Sequence, residues 1–295
     1  MLDKLLRALE LREPLRSPET DALRLVDGPG DGFDDLEVDD FAGRWLVQTR
    51  IAGFPEWLRN ADARSIYWKK LGDKTSPIHL AGEKITEPFV AHESGVKYWI
   101  DFSAGYSQGI FLDQRDNRAH LHRIASGKSV LNCFAYTCAF GVSAALGGAQ
   151  TVNCDLSRNY LDWGRRNYTL NGLDPAAHEF LQGDVFDWLK RLAKKDRKFD
   201  LVILDPPTFS RDEKGRIFRV ENDFPELVRS AAKLLHAGGT LFCSTNQRSL
   251  WLESFRGLIE EGLANPKASE IQATPMPADF RGEKYLKTVW VKVGC

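Results

Sequence analysis

The sequence predicts an α/β chain in two parts. A small N-terminal α+β domain covers residues 1–105, and a larger domain covers 106–295, with a mostly parallel sheet closed by an antiparallel edge. Three observations carry this reading. After residue 106, strand-like runs alternate with helical ones, as in βαβ units. Before it, short strands alternate with Gly/Asp-rich turns. Within the larger domain, the 26 residues Ser129–Cys154 carry no charge, as a strand, loop and helix buried together would.

The elements follow in order. Leu2, Leu5, Leu6 and Leu9 mark an amphipathic first helix that Pro14 limits. Leu36–Phe41 and Trp45–Thr49 form a hairpin about Ala42-Gly43. A short helix near Pro55–Arg64 precedes a strand at Ile66–Lys69, and PFVAHESGVKYWIDF makes a second hairpin turning at Glu93-Ser94-Gly95. In the larger domain the strands are Ser129–Phe134, Thr151–Asp155, Glu179–Gly183, Leu201–Asp205 and Thr240–Ser244. The helices are Phe140–Leu146, Asn159–Leu170, Val185–Ala193 and Asp223–Leu235. Ser269–Thr274 and Lys284–Lys292 have no helix between them and supply the antiparallel edge.

Composition removes several function classes. Lys+Arg number 40 against Asp+Glu 41 in 295 residues, a net charge of −1, so this is no basic nucleic-acid coat protein. Residues 1–100 hold 14 basic and 18 acidic side chains and the remainder 26 and 23, so a polyanion is drawn weakly to the second part. Five cysteines, an odd number without CxxC spacing, suit a reducing cytoplasm and predict neither a disulfide framework nor a metal site. The charged N-terminus is no signal peptide. The uncharged run is no membrane span, because Asn132, Gly141, Gly147, Gly148, Gln150 and Asn153 interrupt it. Neither a metal nor a membrane partner is expected.

Ligands of open α/β sheets bind where strands end at their carboxyl edge, so the loops there hold the chemistry. Asp155, about 20 residues beyond the first loop, is placed to accept from ribose hydroxyls; an Asp there can also be a helix N-cap. Asp184, one strand further out, can accept from an exocyclic amine of adenine. The first loop, Asn132-Cys133-Phe134-Ala135-Tyr136-Thr137, lacks the glycines that let a pyrophosphate approach the backbone. Its bulky aromatics demote NAD(P) and favour a nucleoside without phosphates, which S-adenosylmethionine satisfies. Asn132, Phe134, Tyr136, Thr137, Asp155, Leu156, Ser157, Asp184, Val185 and Asp205 are the cofactor candidates along these strand ends. Before the sheet, Gln114 and Arg115 join them. Arg115 could pair with the methionine carboxylate, and capping or surface charge explains the segment equally well. Asp205-Pro206-Pro207 fixes two successive φ angles, making a rigid loop suited to holding a flat base.

The set FLDQRDNR, VLNCFAYTCAF with Val152–Ser157, GDVFDWL and ILDPPTFS resembles bacterial large-subunit rRNA methyltransferases, both the cytosine-5 and the guanine-7 methylating kinds. The resemblance covers roughly residues 20–295. It implies a class I, Rossmann-like S-adenosylmethionine-dependent methyltransferase fold, with S-adenosylmethionine as cofactor and a base of structured RNA as substrate, DNA not being expected. ALRLVDGPGDGFDDLEVDDF is similar to the small central domain of the cytosine-5 enzymes, whose PUA module has no counterpart in this reading. Asp205, Pro206 and Asn246 are the catalytic candidates; Pro207, Thr208, Phe209 and Arg211 are the substrate candidates. Arg211, Lys214, Arg216 and Arg219 offer basic groups beside them, and Arg44, Arg50, Arg64, Lys69 and Lys70 offer basic positions in the first domain. Tyr136 and Phe209 are either stacking partners or core.

Two departures from the family pattern bear on mechanism. Cys138-Ala139 stand where the family loop has two glycines, and neither tolerates positive φ as glycine does. Asn246 stands where the cytosine-5 enzymes carry the cysteine that attacks carbon 6. Cys243, three residues earlier, reads as a small strand hydrophobe or as that nucleophile. The reading is a guanine-N7 methyltransferase of rRNA. The alternatives are a cytosine-5 enzyme, a small-molecule or protein methyltransferase, and a non-enzymatic RNA-binding protein.

Overall fold

The computed structural model describes residues 1–51, 53–105, 107–211, 217–263 and 268–294, with the backbone alone described for 209–211, 217 and 268–270. Two compact units result: unit 1 is Met1–Asp116 with Met276–Lys284, and unit 2 is Asn117–Pro275 with Tyr285–Cys295. The expected boundary at 105/106 thus stands against one at 116/117, and a nine-residue C-terminal stretch returns to unit 1.

In unit 1, helix α1 (Leu2–Arg12) lies on a five-stranded sheet of β1 (Ala22–Asp27), β2 (Glu37–Phe41), β3 (Arg44–Thr49), β4 (Ser65–Lys70) and β5 (Ile78–Gly82), in that spatial order. Leu5 and Ala8 of α1 join Leu23, Leu25, Val38, Val47 and Ile66 in one core. A separate hairpin, β6 (Phe89–Glu93) and β7 (Val96–Ile100), turns at Ser94-Gly95. Both predicted hairpins form with left-handed residues at their turns, Ala42-Gly43 and Ser94-Gly95. The helix expected near Pro55–Arg64 is only a 3₁₀ turn, Glu56–Asn60. Arg44 and Lys69, two of the basic positions of the first domain, are buried: Arg44 lies 4.4 Å over the Phe89 ring and Lys69 Nζ donates to the Gly105 carbonyl at 3.0 Å.

The returning stretch is held by charge. Asp279, fully buried, accepts from the Arg24 backbone N–H at 2.9 Å, and its carbonyl accepts from Arg12 at 2.7 Å. Gly282 N donates to Asp27 at 2.6 Å. Gly30 is a glycine for this reason: a Cβ there would stand 2.3 Å from the Arg281 backbone.

Unit 2 contains most of helix α2 (Arg115–Ile124), then β8 (Ser129–Cys133), α3 (Ala139–Leu146), β9 (Gln150–Asp155), α4 (Arg158–Leu170), β10 (Glu179–Gln182), α5 (Val185–Lys194) and β11 (Phe199–Leu204). A short ribbon follows, β12 (Phe209–Arg211) with β13 (Ile217–Arg219), then α6 (Val220–Ala232), β14 (Leu235–Thr245), α7 (Leu252–Leu263), β15 (Ala268–Thr274) and β16 (Lys287–Val293). The seven-stranded sheet runs β10-β9-β8-β11-β14-β16-β15, its first five strands parallel and β16 antiparallel to both neighbours. The predicted parallel sheet with an antiparallel edge is therefore what forms. Alternate residues of β11 serve opposite layers: Leu201 and Ile203 meet α2 and α3, while Val202 and Leu204 meet α5, α6 and α7. Burial on both faces explains the uninterrupted apolar run of that strand. Among the described residues no helix is long and apolar enough to cross a membrane.

Candidate active site

Strand order reverses at β8, whose neighbours are β9 and β11. Crossovers leave β8 and β11 toward opposite faces, so their carboxyl-end loops diverge and open a crevice. The loop after β8 is strained. Phe134, Tyr136 and Cys138 have φ of 58°, 48° and 61°, three left-handed non-glycine residues at alternate positions. Each such conformation costs about 1–2 kcal/mol, so other contacts must hold it. Asp155, at the end of β9, accepts the Tyr136 N–H at 2.8 Å on one oxygen and the Ser157 N–H at 2.8 Å on the other. Burial raises its pKa, while these two N–H donors pull it down.

Cys138 takes the left-handed conformation that glycine would take freely. Its sulfur occupies space that Gly164 of α4 leaves open, since a Cβ on Gly164 would lie 2.3 Å from Sγ. The glycine missing from the loop is thus answered by one on the facing helix. Asn167 of α4 adds a hydrogen bond to the Thr137 carbonyl at 3.0 Å.

The other cofactor candidates take distinct positions. Ser157 caps α4, accepting from Tyr160 N at 3.3 Å, and Asp184 caps α5, accepting from Asp187 N at 3.0 Å. Leu156 is 39% exposed beside Asp155. Val185 sends its side chain into the core, which leaves its backbone as the part near the strand end. Phe134 is half-buried, 6.2 Å from Phe218, and Tyr136 packs edge-on against Tyr160 at 4.6 Å, so both rings are partly core and partly open.

Two candidates already have partners within the protein. Asn132 does not face the crevice: it is 1% exposed and donates to Asn153 at 3.0 Å inside the helix-covered layer, on the same side of β8 as Val130. Arg115 already has a bidentate partner, Asp279 of its own unit, at 2.9 and 2.5 Å, so that face of the guanidinium does not wait for a methionine carboxylate. Gln114 is buried in the same unit.

Across the switch point, Asp205 receives a hydrogen bond from Ser244 of β14, a contact that pairs the two strand ends and that sequence reading missed. Pro206 is buried, Pro207 exposed, Thr208 half-buried and Asn246 exposed. The side chains of Phe209 and Arg211, and all of Lys214 and Arg216, lie outside the described residues. Cys243 is fully buried among Leu204, Leu241 and Val289, and burial pushes its thiol pKa well above the ordinary value. The other cysteines described, Cys133, Cys138 and Cys154, are buried as well.

An open, mostly parallel sheet with diverging loops at its switch point places the chain among α/β folds that take their ligands at the carboxyl edge of the strands. Residues 41–267 match the family model of S-adenosylmethionine-dependent methyltransferases, and the chain belongs to that family. It is 38% identical over 281 residues to ribosomal RNA large subunit methyltransferase I of Aeromonas salmonicida, covering 89% of this chain and 68% of that one. It is 39% identical over 203 residues to ribosomal RNA large subunit methyltransferase K of Neisseria meningitidis, covering 68% of this chain and 56% of that one. Among solved structures, SMU.776, described as a candidate methyltransferase and solved in complex with SAH, superposes with a TM-score of 0.91 at 30% identity, over 99% of this chain and 80% of its own. The protein is therefore an S-adenosylmethionine-dependent methyltransferase with rRNA large-subunit methyltransferases as homologues. The residues present fit that cofactor: a half-buried carboxylate at the end of β9, a second just past the end of β10, an exposed leucine after the first, and an aromatic loop without glycines at β8.

Proposed function

We propose that the chain methylates N7 of a guanine in large-subunit rRNA. When bound, S-adenosylmethionine supplies an electrophilic methyl group on a sulfonium. Asp155 accepts from the ribose hydroxyls, Asp184 from the adenine amine, and Leu156 covers the adenine face. Phe134, Tyr136 and Thr137 line the methionine end. On the substrate side, Asp205 and the rigid Pro206-Pro207 loop hold the base. A carboxylate accepts from guanine's N1–H and N2–H, which turns N7, on the other edge, toward the methyl group. N7 carries its own lone pair, so alignment is the main demand on the protein. Asn246 stands at the same sheet edge as a further polar contact.

The observation that carries the choice of base is Cys243. Cytosine-5 methylation needs a thiolate to attack carbon 6, and this thiol is sealed in the core with its ionisation suppressed. Large-subunit rRNA from a deletion strain, incubated with enzyme and labelled S-adenosylmethionine, should yield labelled 7-methylguanosine on nuclease digestion and mass spectrometry. Cys243→Ser should retain most of this activity, losing about 1–2 kcal/mol of stability from a hydroxyl in an apolar site. Labelled 5-methylcytidine, or a covalent complex with 5-fluorocytosine RNA that vanishes in Cys243→Ser, would overturn the assignment.

A further inference from the structure

We infer that the loop leaving β14, Asn246–Trp251, is a stacking platform for an unpaired nucleotide next to the target base. The inference rests on the RNA reading above. Trp251 is 79% exposed. Its neighbours Leu250 and Leu252 turn inward against the core, so the chain directs the indole outward while anchoring both flanks. Among the described residues of unit 2, the large hydrophobic side chains left exposed are Leu156 and Trp251. Leu156 follows the end of β9 and Trp251 follows the end of β14, both parallel strands, so both belong to the carboxyl edge of the sheet where the methyl group is transferred.

The loop is braced. Gln247 N donates to Thr245 Oγ1 at 3.2 Å, Lys287 Nζ donates to the Gln247 carbonyl at 2.8 Å, and the Gln247 side chain donates to Glu221. Ser249 Oγ adds a bond to the same carboxylate at 3.3 Å. An aromatic surface fixed in advance loses little freedom when a partner binds. Arg248 lies with its guanidinium 4.8 Å over the Tyr285 ring, giving the loop a flat cationic face of the kind on which bases and phosphates settle.

The surroundings decide the occupant. Asn246, Arg248, Ser249, Glu253 and Ser254, before and after Trp251 in the chain, are all exposed. A protein interface needs a contiguous apolar centre inside a polar rim, and one exposed indole in a polar segment does not provide it. A nucleobase offers a flat face that one indole can cover, and its backbone phosphate suits an arginine on the same loop.

The test compares wild type, Trp251→Ala, Trp251→Phe and Asp155→Ala. The probes are a short single-stranded oligoadenylate, protein-free large-subunit rRNA and S-adenosylmethionine. Stacking is worth about 1–3 kcal/mol per base, so Trp251→Ala should weaken oligoadenylate binding and raise the KM for rRNA about 5–150-fold. S-adenosylmethionine affinity and kcat at saturating rRNA should stay unchanged. Trp251→Phe should recover most of the loss, and Asp155→Ala should show the opposite split, with cofactor affinity reduced and RNA affinity kept. If wild type methylates rRNA while Trp251→Ala binds both RNAs as wild type does, the platform is wrong and the RNA reading survives. Equal loss of cofactor and RNA affinity in Trp251→Ala would also refute the platform, by making the loop structural. If wild type neither binds nor methylates RNA, the RNA reading fails and the platform falls with it.

Discussion

Unit 1 buries a network of ion pairs, whereas beneath the methyltransferase loops unit 2 buries a chain of neutral polar groups, with Arg118 as a buried cation over the Phe140 ring. In unit 1, Arg24 is shared by Asp27, Asp39 and Glu37 at 2.8, 2.6 and 3.0 Å, Arg12 pairs with Asp31 at 2.6 Å, and Arg115 pairs with Asp279. In unit 2, Asn132 donates to Asn153, Asn153 donates to the Tyr168 hydroxyl, Tyr168 bonds Thr151, and Thr151 bonds His178. Removing one partner of a buried ion pair leaves a charge without solvent, whereas removing one link of a neutral chain leaves only a dipole. The two units should therefore differ in how sharply they respond to mutation. Their responses to pH should even differ in sign.

The largest expected effect is at Asp279. Asp279→Ala strips Arg115 of both hydrogen bonds in a buried setting and frees the Arg24 N–H. Breaking a buried pair by removing one partner costs about 3–5 kcal/mol. Amide hydrogen exchange in β1–β3 should accelerate accordingly, while exchange in β8–β11 stays as in wild type. Asp279→Asn, which keeps one acceptor, should lose less. Equal exchange in wild type and the alanine variant would mean that the ionic cluster does not hold the returning segment.

Asp39 sharpens the comparison through pH. Burial raises its carboxyl from the ordinary 3.8 to about 6, against the pull of Arg24. Between those values the native unit keeps a proton that the unfolded chain has released, so stability falls as pH rises across that window. A rise from 3.8 to about 6 corresponds to about 3 kcal/mol at most. Asp39→Asn should flatten this slope in the exchange of β1–β3 between pH 4 and 6. A slope unchanged in the variant would assign the titration to another carboxylate of the cluster.

These ionic ties mark where sequence reading stopped. The strands of unit 2 were legible because burial on both faces demands charge-free runs such as Leu201–Leu204, and Asp155 was legible because it closes such a run. Cys138 was legible as a departure, but its remedy, Gly164, lies on another helix and shows only once α3 and α4 are packed. Asp279 lies 164 residues from Arg115 and 255 from Arg24, and no local pattern links residues so far apart. Helix α7 went unread although Leu252, Phe255 and Ile259 have helical spacing, because Gly257 and Gly262 lower its propensity. Gly262 is needed, since a Cβ there would lie 2.5 Å from Val228. The orientation of Asn132 could have been read from parity, as it shares a face with Val130. The bond from Ser244 to Asp205 required the register of β11 against β14, which pairs Leu204 with Cys243.

The smallest expected effect lies in unit 2, at His178. Its Nδ1 accepts the Thr151 backbone N–H at 3.2 Å and faces the Thr151 hydroxyl at 3.0 Å. Accepting that N–H requires an unprotonated Nδ1, so the neutral ring with its proton on Nε2 is the form that completes the chain to Tyr168. Burial lowers the pKa of His178 from the ordinary 6.5, Asp174 opposing. The native unit then binds fewer protons than the unfolded chain, so the stabilisation is present above 6.5 and is lost as pH falls through the depressed value. The sign is opposite to that of Asp39, and acidification from neutral pH should tighten unit 1 while loosening the edge of unit 2. His178 is partly exposed, so solvent screening keeps the effect below about 1 kcal/mol. His178→Gln retains an acceptor but cannot titrate. Hydrogen exchange in β9 and β10 should accelerate with acid in wild type, relative to the intrinsic rate, and not in the variant. If both accelerate alike, the neutral chain does not depend on His178, and the contrast between the units rests on their ions alone.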